Sequence, residues 1–286
     1  MKKVMAIHDI SGFGKCSLTV ALPVLSACKI QTTCLPTAVL STHTAIPGFT
    51  YKDLTKDISA FHRHWKSLNL TFDAMYSGFL GSKEQISMIA DIFKTFKTKQ
   101  NLILVDPVMA DNGKMYSIFD AHFAKEMTKL CKNADIIVPN MTEAAFLLEQ
   151  SYRNGPYDKT YIEKMLRDLS NELNVKKVVL TGVHFDNVSL GAAAYDKETD
   201  AVVYGFSKKI DGYFHGTGDL FGSCLLAAIL NDNSLQKSIQ FACDFVKESI
   251  ERTVRDKTNI NYGVNFEEGL SQFCRRITGE EEYEIE

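Results

Sequence analysis

Six short apolar runs rich in β-branched residues recur along the chain, separated by longer stretches with helical spacing. The runs are Lys3–His8, Thr33–Leu40, Ala74–Gly78, Leu102–Asp106, Ile136–Pro139 and Lys177–Thr181. The helix-patterned stretches are Cys16–Ser26, Leu54–Ser67, Lys83–Lys97, Ala121–Lys132, Thr142–Leu148 and Tyr161–Leu173. Strands apolar on both faces need cover on both faces. The alternation therefore predicts an α/β fold, a three-layer αβα sandwich around a mostly parallel sheet. After Thr181 the rhythm changes. Val188–Tyr195 and Ala201–Phe206 flank the polar turn Asp196–Asp200, which predicts an antiparallel hairpin at the sheet edge. Helices are expected over Asp219–Leu230, Leu235–Thr253 and Phe266–Arg275. No repeat or linker divides the chain, so residues 1–286 read as one domain, with the acidic tail 279–286 expected to fray.

Composition narrows the function. At 286 residues, 45% hydrophobic and 23% charged, the chain has material for a sizeable core. A net charge of −3 offers no basic surplus for nucleic acid. The seven cysteines are odd in number and form no CxxC pair, which argues against disulfides or zinc and fits a cytoplasmic enzyme. No run approaches the roughly 20 apolar residues of a membrane span, so no membrane partner is expected.

In open α/β sheets ligands bind beyond the carboxyl ends of the strands. Polar residues fall at each predicted end: Asp9, Thr42-His43-Thr44, Ser77, Asp106, Asn140 and Thr181-Gly182. Downstream, His215-Gly216-Thr217-Gly218-Asp219 opens into the apolar run Leu220–Leu230. Glycines let backbone approach a ligand closely, and the first amides of a helix lack internal partners. With the helix dipole they make an anion site. Asp219 stands beside it, placed to accept a proton, although an acidic helix start is also favourable without chemistry.

Two further blocks bear on this. In Pro139-Asn140-Met141-Thr142-Glu143, Asn140 and Glu143 fit a capping box, and equally a pair holding Mg²⁺ directly or through water. In Asp106-Pro107-Val108-Met109, followed by Asp111–Tyr116, a strand-end acid precedes a Gly-containing loop suited to a mobile flap, or to an ordinary turn. Familiar nucleotide signatures fail. Gly12-Phe13-Gly14-Lys15-Cys16-Ser17 lacks the first glycine and the hydroxyl residue of a P-loop, and Ser17 replaces the third glycine of the dinucleotide fingerprint. Ser11–Ser17 reads as a strand-to-helix turn or as a substrate-contacting loop. Trp65 reads as helix packing, His215 as a loop residue and Cys224 as an inert small hydrophobe.

Together these blocks resemble the ribokinase superfamily of small-molecule kinases, in particular its pyridoxal/pyridoxamine kinase branch, over nearly the whole chain. Ser41-Thr42-His43-Thr44 is similar to the branch's Ser-Asn-His-Thr segment, and Val178–Gly182 to its nucleotide-contacting strand end. The resemblance implies a ribokinase-like fold and ATP-dependent phosphorylation of the 5′-hydroxymethyl group of a B6 vitamer: pyridoxal, pyridoxamine or pyridoxine. It implies Asp219 as base, with Gly216, Thr217 and Gly218 as the anion hole. Asp9, Ser11, Thr44 and Phe79 would contact substrate, although Phe79 also reads as a core aromatic. Asp106, Asp111, Asn140, Glu143, Thr181 and Gly182 would serve ATP, with Asp106, Asn140 and Glu143 at Mg²⁺. A monovalent cation and a homodimer are further implications. One departure stands out. Asp9-Ile10-Ser11-Gly12 replaces the usual Ser-His pair and looks like hydroxymethylpyrimidine kinases of thiamine synthesis, the alternative activity. A catalytically silent vitamin-binding protein is the alternative from another class.

Overall fold

The computed structural model describes residues 1–280. The acidic tail expected to fray lies, from residue 281 on, outside the described residues. Strands β1 (Lys3–Phe13), β2 (Gln31–Thr42), β3 (Tyr51–Asp53), β4 (Ala74–Ser77) and β5 (Leu102–Val105) come from the first part of the chain. The short strands β6 (Ala110–Asp111) and β7 (Lys114–Met115) follow, then β8 (Ile136–Ile137), β9 (Lys177–Val183), β10 (Ser189–Asp196) and β11 (Ala201–Lys208). A nine-stranded sheet runs in the order β11-β10-β9-β8-β5-β4-β1-β2-β3. Its six middle strands, β9 to β2, are parallel, and β10, β11 and β3 join antiparallel. The expected edge hairpin is β10–β11, paired from Ser189↔Lys208 to Asp196↔Ala201.

Helices cover both faces, as strands without polar alternation require. Helices α1 (Leu18–Ala27), α7 (Thr217–Leu230), α8 (Leu235–Arg255) and α9 (Leu270–Thr278) pack on one side, around Val4, Tyr76, Leu104 and Val179. On the other lie α2 (Thr55–Ser67), α3 (Lys83–Phe96), α4 (Ala121–Cys131), α5 (Met141–Leu147) and α6 (Lys159–Leu173), around Met5, Met75, Ile103 and Val178. The crossovers that follow β1 and β2 therefore run on opposite faces and lead to opposite sides of β1. That makes the carboxyl end of β1 a topological switch point, where a crevice opens.

Three local expectations change. The predicted turn over Ser11–Ser17 is strand as far as Phe13, because β2 pairs with it through Ser11↔Leu40 and Phe13↔Thr42 after a register shift between His8 and Ile10. Only Gly14–Ser17 turns. The expected flap, Asp111–Tyr116, contains the hairpin β6–β7. Its central Asn112 (φ 50°) and Gly113 (φ 75°) are both left-handed, as a two-residue type I′ turn demands. The last helix begins later than Phe266, after a 3₁₀ turn over Glu267–Gly269. Trp65 packs against the core beside Phe72, and Cys224 is fully buried, as read from the sequence. No helix among the described residues is long and apolar enough to cross a membrane.

Candidate active site

The crevice is a cavity of about 670 Å³ at the carboxyl ends of the parallel strands. Asp9, Ser11, Thr44 and Phe79 line it, and so do Asp106, Asp111, Asn140, Glu143, Thr181 and Gly182. Gly216, Thr217, Gly218 and Asp219 complete it. Residues spread over two hundred positions of sequence thus meet in one space. All seven cysteines are free thiols, and Cys16 and Cys243 line the cavity.

The Gly216–Asp219 turn owes its shape to local sterics. Gly216 is left-handed at φ 74° and caps α7 without a side chain. A Cβ there would overlap the Lys15 carbonyl oxygen, so only glycine fits. At Gly218 a Cβ would meet nothing within 4 Å, so that face of the turn borders open space. The first-turn amides of Thr217, Gly218 and Asp219 have no intrahelical acceptor, and the residues that carry them line the cavity.

Asp219 is only partly exposed, and burial pushes its carboxyl up to about 7. The Ser17 backbone amide pulls it down in part, and the charge of Asp9 adds to the rise. Ser17 is itself held at a left-handed φ of 52°, the kind of strain that persists where surrounding structure over-determines it. Its side chain hydrogen-bonds Asp9, whose Oδ2 also accepts from the Ser11 hydroxyl at 3.2 Å. One turn, Gly14–Ser17, therefore ties both acids together.

A second acidic pair lies across the cavity. Asp106 and Glu143 are buried, and burial drives both carboxyls upward: Glu143 to about 8, and Asp106 well above its usual range with help from the charges of Glu143 and Asp219. Glu143 accepts from the amides of Met109 (3.1 Å) and Asn140 (2.9 Å). Asn140 Oδ1 accepts from Thr142 and Glu143, and its amide donates to the Ala110 carbonyl. The capping box is therefore complete. The cap is also part of the cavity wall. Asn140's oxygen already serves two donors, so a cation would reach it through water. Among the described residues no three His, Cys, Asp or Glu side chains form a metal cluster on their own. Two carboxyl groups lining one cavity fit Mg²⁺, which takes one or two carboxylates plus phosphate oxygens and water.

Asp111 belongs to the β6–β7 hairpin, and its Oδ2 accepts from the Tyr213 hydroxyl at 3.0 Å. The Gly113 amide donates to Thr142 Oγ1 at 3.0 Å. The hairpin thus spans between α5 and the loop before Gly216. Phe79 is half-buried and packs against Phe119 at 5.7 Å, so it is both cavity wall and core aromatic. Thr181 is held by its amide to the Pro139 carbonyl, and Gly182 (φ 74°) borders open space.

Sequence reasoning missed part of the cavity lining. Leu190, Ile210, Phe221, Val246 and Ile250 add apolar lining to the cavity, and Lys208, Lys209 and Lys247 line it as well. Val246 and Ile250 are one turn apart on α8, a spacing that reads equally as core. His43, read from the sequence as part of the strand-end segment Thr42-His43-Thr44, and His215, read as a loop residue, both line the cavity.

A carboxyl group at the start of a helix, at the switch point of an αβα sandwich, fits the ribokinase-like small-molecule kinases. The comparisons agree and go further: the phosphomethylpyrimidine kinase family model matches residues 29–265, and the chain belongs to that family. A Bacteroides thetaiotaomicron VPI-5482 protein, assigned as a phosphomethylpyrimidine kinase and solved with pyridoxal, is 35% identical. It superposes with a TM-score of 0.91 over 95% of this chain and 95% of that one. Pyridoxal kinase from Lactobacillus plantarum is 28% identical, with a TM-score of 0.89 over 99% of this chain and all of that one (100%). Pyridoxal kinase of Dictyostelium discoideum is 26% identical over 273 residues, which are 90% of this chain and 88% of the relative.

Proposed function

We propose that the protein transfers the γ-phosphoryl group of ATP to the 5′-hydroxymethyl group of a B6 vitamer. The observation that carries this reading is the one cavity that Asp219, Thr217 and Gly218 share with Asp9, Ser11, Thr44 and Phe79 and with Asp106, Asn140, Glu143, Thr181 and Gly182. Asp9, Ser11, Thr44 and Phe79 offer one aromatic wall and a few polar groups, which suits a flat polar heteroaromatic ring. The apolar lining of Leu190, Val246 and Ile250 suits a nucleobase. The relatives that act on pyridoxal, or were solved with it, support the ring assignment.

In this mechanism Asp219 accepts the hydroxyl proton as the oxygen attacks, a role its raised carboxyl range matches at neutral pH. The helix-start amides hold charge on the transferring group, and removal of one such donor costs about 3–4 kcal/mol in comparable sites. Asp106 and Glu143 would hold Mg²⁺, with Asn140 through water, and the ion would supply neutralisation of phosphate charge. The hairpin carrying Asp111 covers the phosphate region and limits water entry. A monovalent cation, a homodimer and a cytoplasmic setting belong to the same reading by family resemblance.

Asp9-Ile10-Ser11-Gly12 and the family's own description favour a second reading, in which a hydroxymethylpyrimidine is the acceptor. Parallel initial rates with pyridoxal, pyridoxamine, pyridoxine and hydroxymethylpyrimidine, with mass detection of each monophosphate, test the two. The B6 reading expects the highest kcat/KM on one of the vitamers. A pyrimidine preference of tenfold or more replaces it, and ligand binding without any phosphorylated product returns the protein to the silent class.

A further inference from the structure

His43 is fixed more tightly than a substrate loop requires. Its Nε2 lies 2.6 Å from the Asn261 carbonyl, which can only accept, so Nε2 carries the proton. Its Nδ1 accepts the Ala45 amide at 3.3 Å. With both ring nitrogens in contact, the plane of the ring is set. A Cβ at Gly14 would come within 2.7 Å of His43 Cδ2, so the chain also leaves room for this ring at the turn that carries Ser17. On its cavity side the ring stacks on His215, with centroids 4.7 Å apart and planes 27° apart. His215 is gripped at its edge by Tyr213, 4.9 Å away at 87°. It directly precedes Gly216, where the backbone turns left-handed into α7.

The anchor for this stack is remote in sequence. The 3₁₀ turn Ile260–Tyr262 supplies the Asn261 carbonyl to His43 and the Tyr262 carbonyl to the Lys15 amide at 2.9 Å. Lys15 in turn lies under Gly216. The segment after α8 thus reaches the anion turn by two routes, through Lys15 and through the two imidazoles.

The geometry points to His43 as a positioning residue: its ring, stacked on His215, sets where the Gly216–Asp219 turn stands. This rests on the kinase reading above, in which that turn holds the transferring phosphate. His43 touches no reacting atom in this role. It acts by placement, and small misplacements of catalytic groups cost rate more than affinity.

Two full-length variants separate this from a merely structural role. His43→Phe keeps a flat ring on His215 but unties Asn261 and Ala45. His43→Gln keeps an amide able to reach both but removes the ring. A purely structural His43 makes activity follow stability, with Phe the worse variant, since it leaves two polar groups unpaired. The positioning role predicts the opposite order in kcat. Gln should lose about tenfold or more and Phe less than about threefold, with KM for ATP nearly constant in both and the lower Tm in Phe. A kcat order that tracks Tm, or a change carried by vitamer KM alone, overturns the proposal. Should the wild type phosphorylate no vitamer, the kinase reading fails, and the stack is then tested on its own by NMR. The His215 ring signals should shift in the Gln variant and stay near wild type in Phe; unchanged signals in both overturn it.

Discussion

Replacing Asp219 by Asn separates the chemistry from the fold with little change of shape. The side chain lines the cavity, so Asn keeps the volume and can still take the Ser17 amide on its oxygen. What it loses is the ability to accept a proton, worth about 10²–10⁴ in turnover, or roughly 3–5 kcal/mol of barrier. Stability should move the other way. The folded carboxyl titrates near 7 and the unfolded one near 3.8. The folded state therefore holds the proton more tightly. That contribution is complete below the unfolded value and is lost as pH rises through about 7. At pH 8 the wild type carries an ionised, poorly solvated carboxylate that the variant lacks. The pKa difference alone corresponds to about 4 kcal/mol; the partial exposure of the side chain reduces this to roughly 1–2 kcal/mol. The assay pairs kcat with Tm across pH 4–8. The Asp219→Asn variant should show a higher Tm than wild type at pH 8, convergence near pH 4, and kcat at least about a hundredfold lower at pH 7–8. Wild-type kcat should climb with pH through about 7 and level off. A variant within a few-fold of wild-type turnover, or one less stable at pH 8, refutes the assignment of Asp219 as a base held in a desolvated site.

Three further substitutions probe the turn and the acidic pair. Gly218→Ala adds a methyl to open space in a helical turn, so Tm should hold or rise slightly, while ATP-dependent turnover falls; equal turnover removes Gly218 from the phosphate site. Gly216→Ala meets both a left-handed φ and the Lys15 carbonyl, so it should lower Tm as well as activity, at a cost of more than about 1 kcal/mol by chemical denaturation; a neutral result contradicts the packing described. Glu143→Gln keeps one acceptor for the Met109 and Asn140 amides and removes charge, so the Mg²⁺ concentration for half-maximal rate should rise; an unchanged titration leaves Glu143 as a cap alone.

Much of this architecture is legible in the residues, and the gaps have physical causes. The strand–helix rhythm gave the parallel sheet because fully buried strands carry unbroken β-branched runs. It stopped β1 at His8, since Asp9, Ser11 and Gly12 look like a loop. Pairing with β2 keeps them in the sheet, and tertiary context overrides local preference there. Strand β3 is three exposed residues, too short for any periodicity. Asp111–Tyr116 reads from the residues only as a flap or an ordinary turn, because the strands of the β6–β7 hairpin have only two residues each. In the site, Gly216–Asp219 taken alone reads equally as an acidic helix start, and only beside Asn140-x-x-Glu143 and Asp106-Pro107 does it point to a phosphate site. The apolar lining could not be read, because Val246 and Ile250 on α8 look like any core-facing stripe. The contact of His43 with Asn261, more than two hundred residues away, is one that no local pattern encodes.

The most direct measurement is a structure of the full chain with ADP and pyridoxal bound together. The account predicts the 5′-hydroxyl oxygen within about 2.6–3.2 Å of an Asp219 carboxylate oxygen, on the side facing the β-phosphate. A vitamer seated with that oxygen more than about 5 Å from Asp219, or with the Gly216–Asp219 amides turned away from the phosphates, would contradict it.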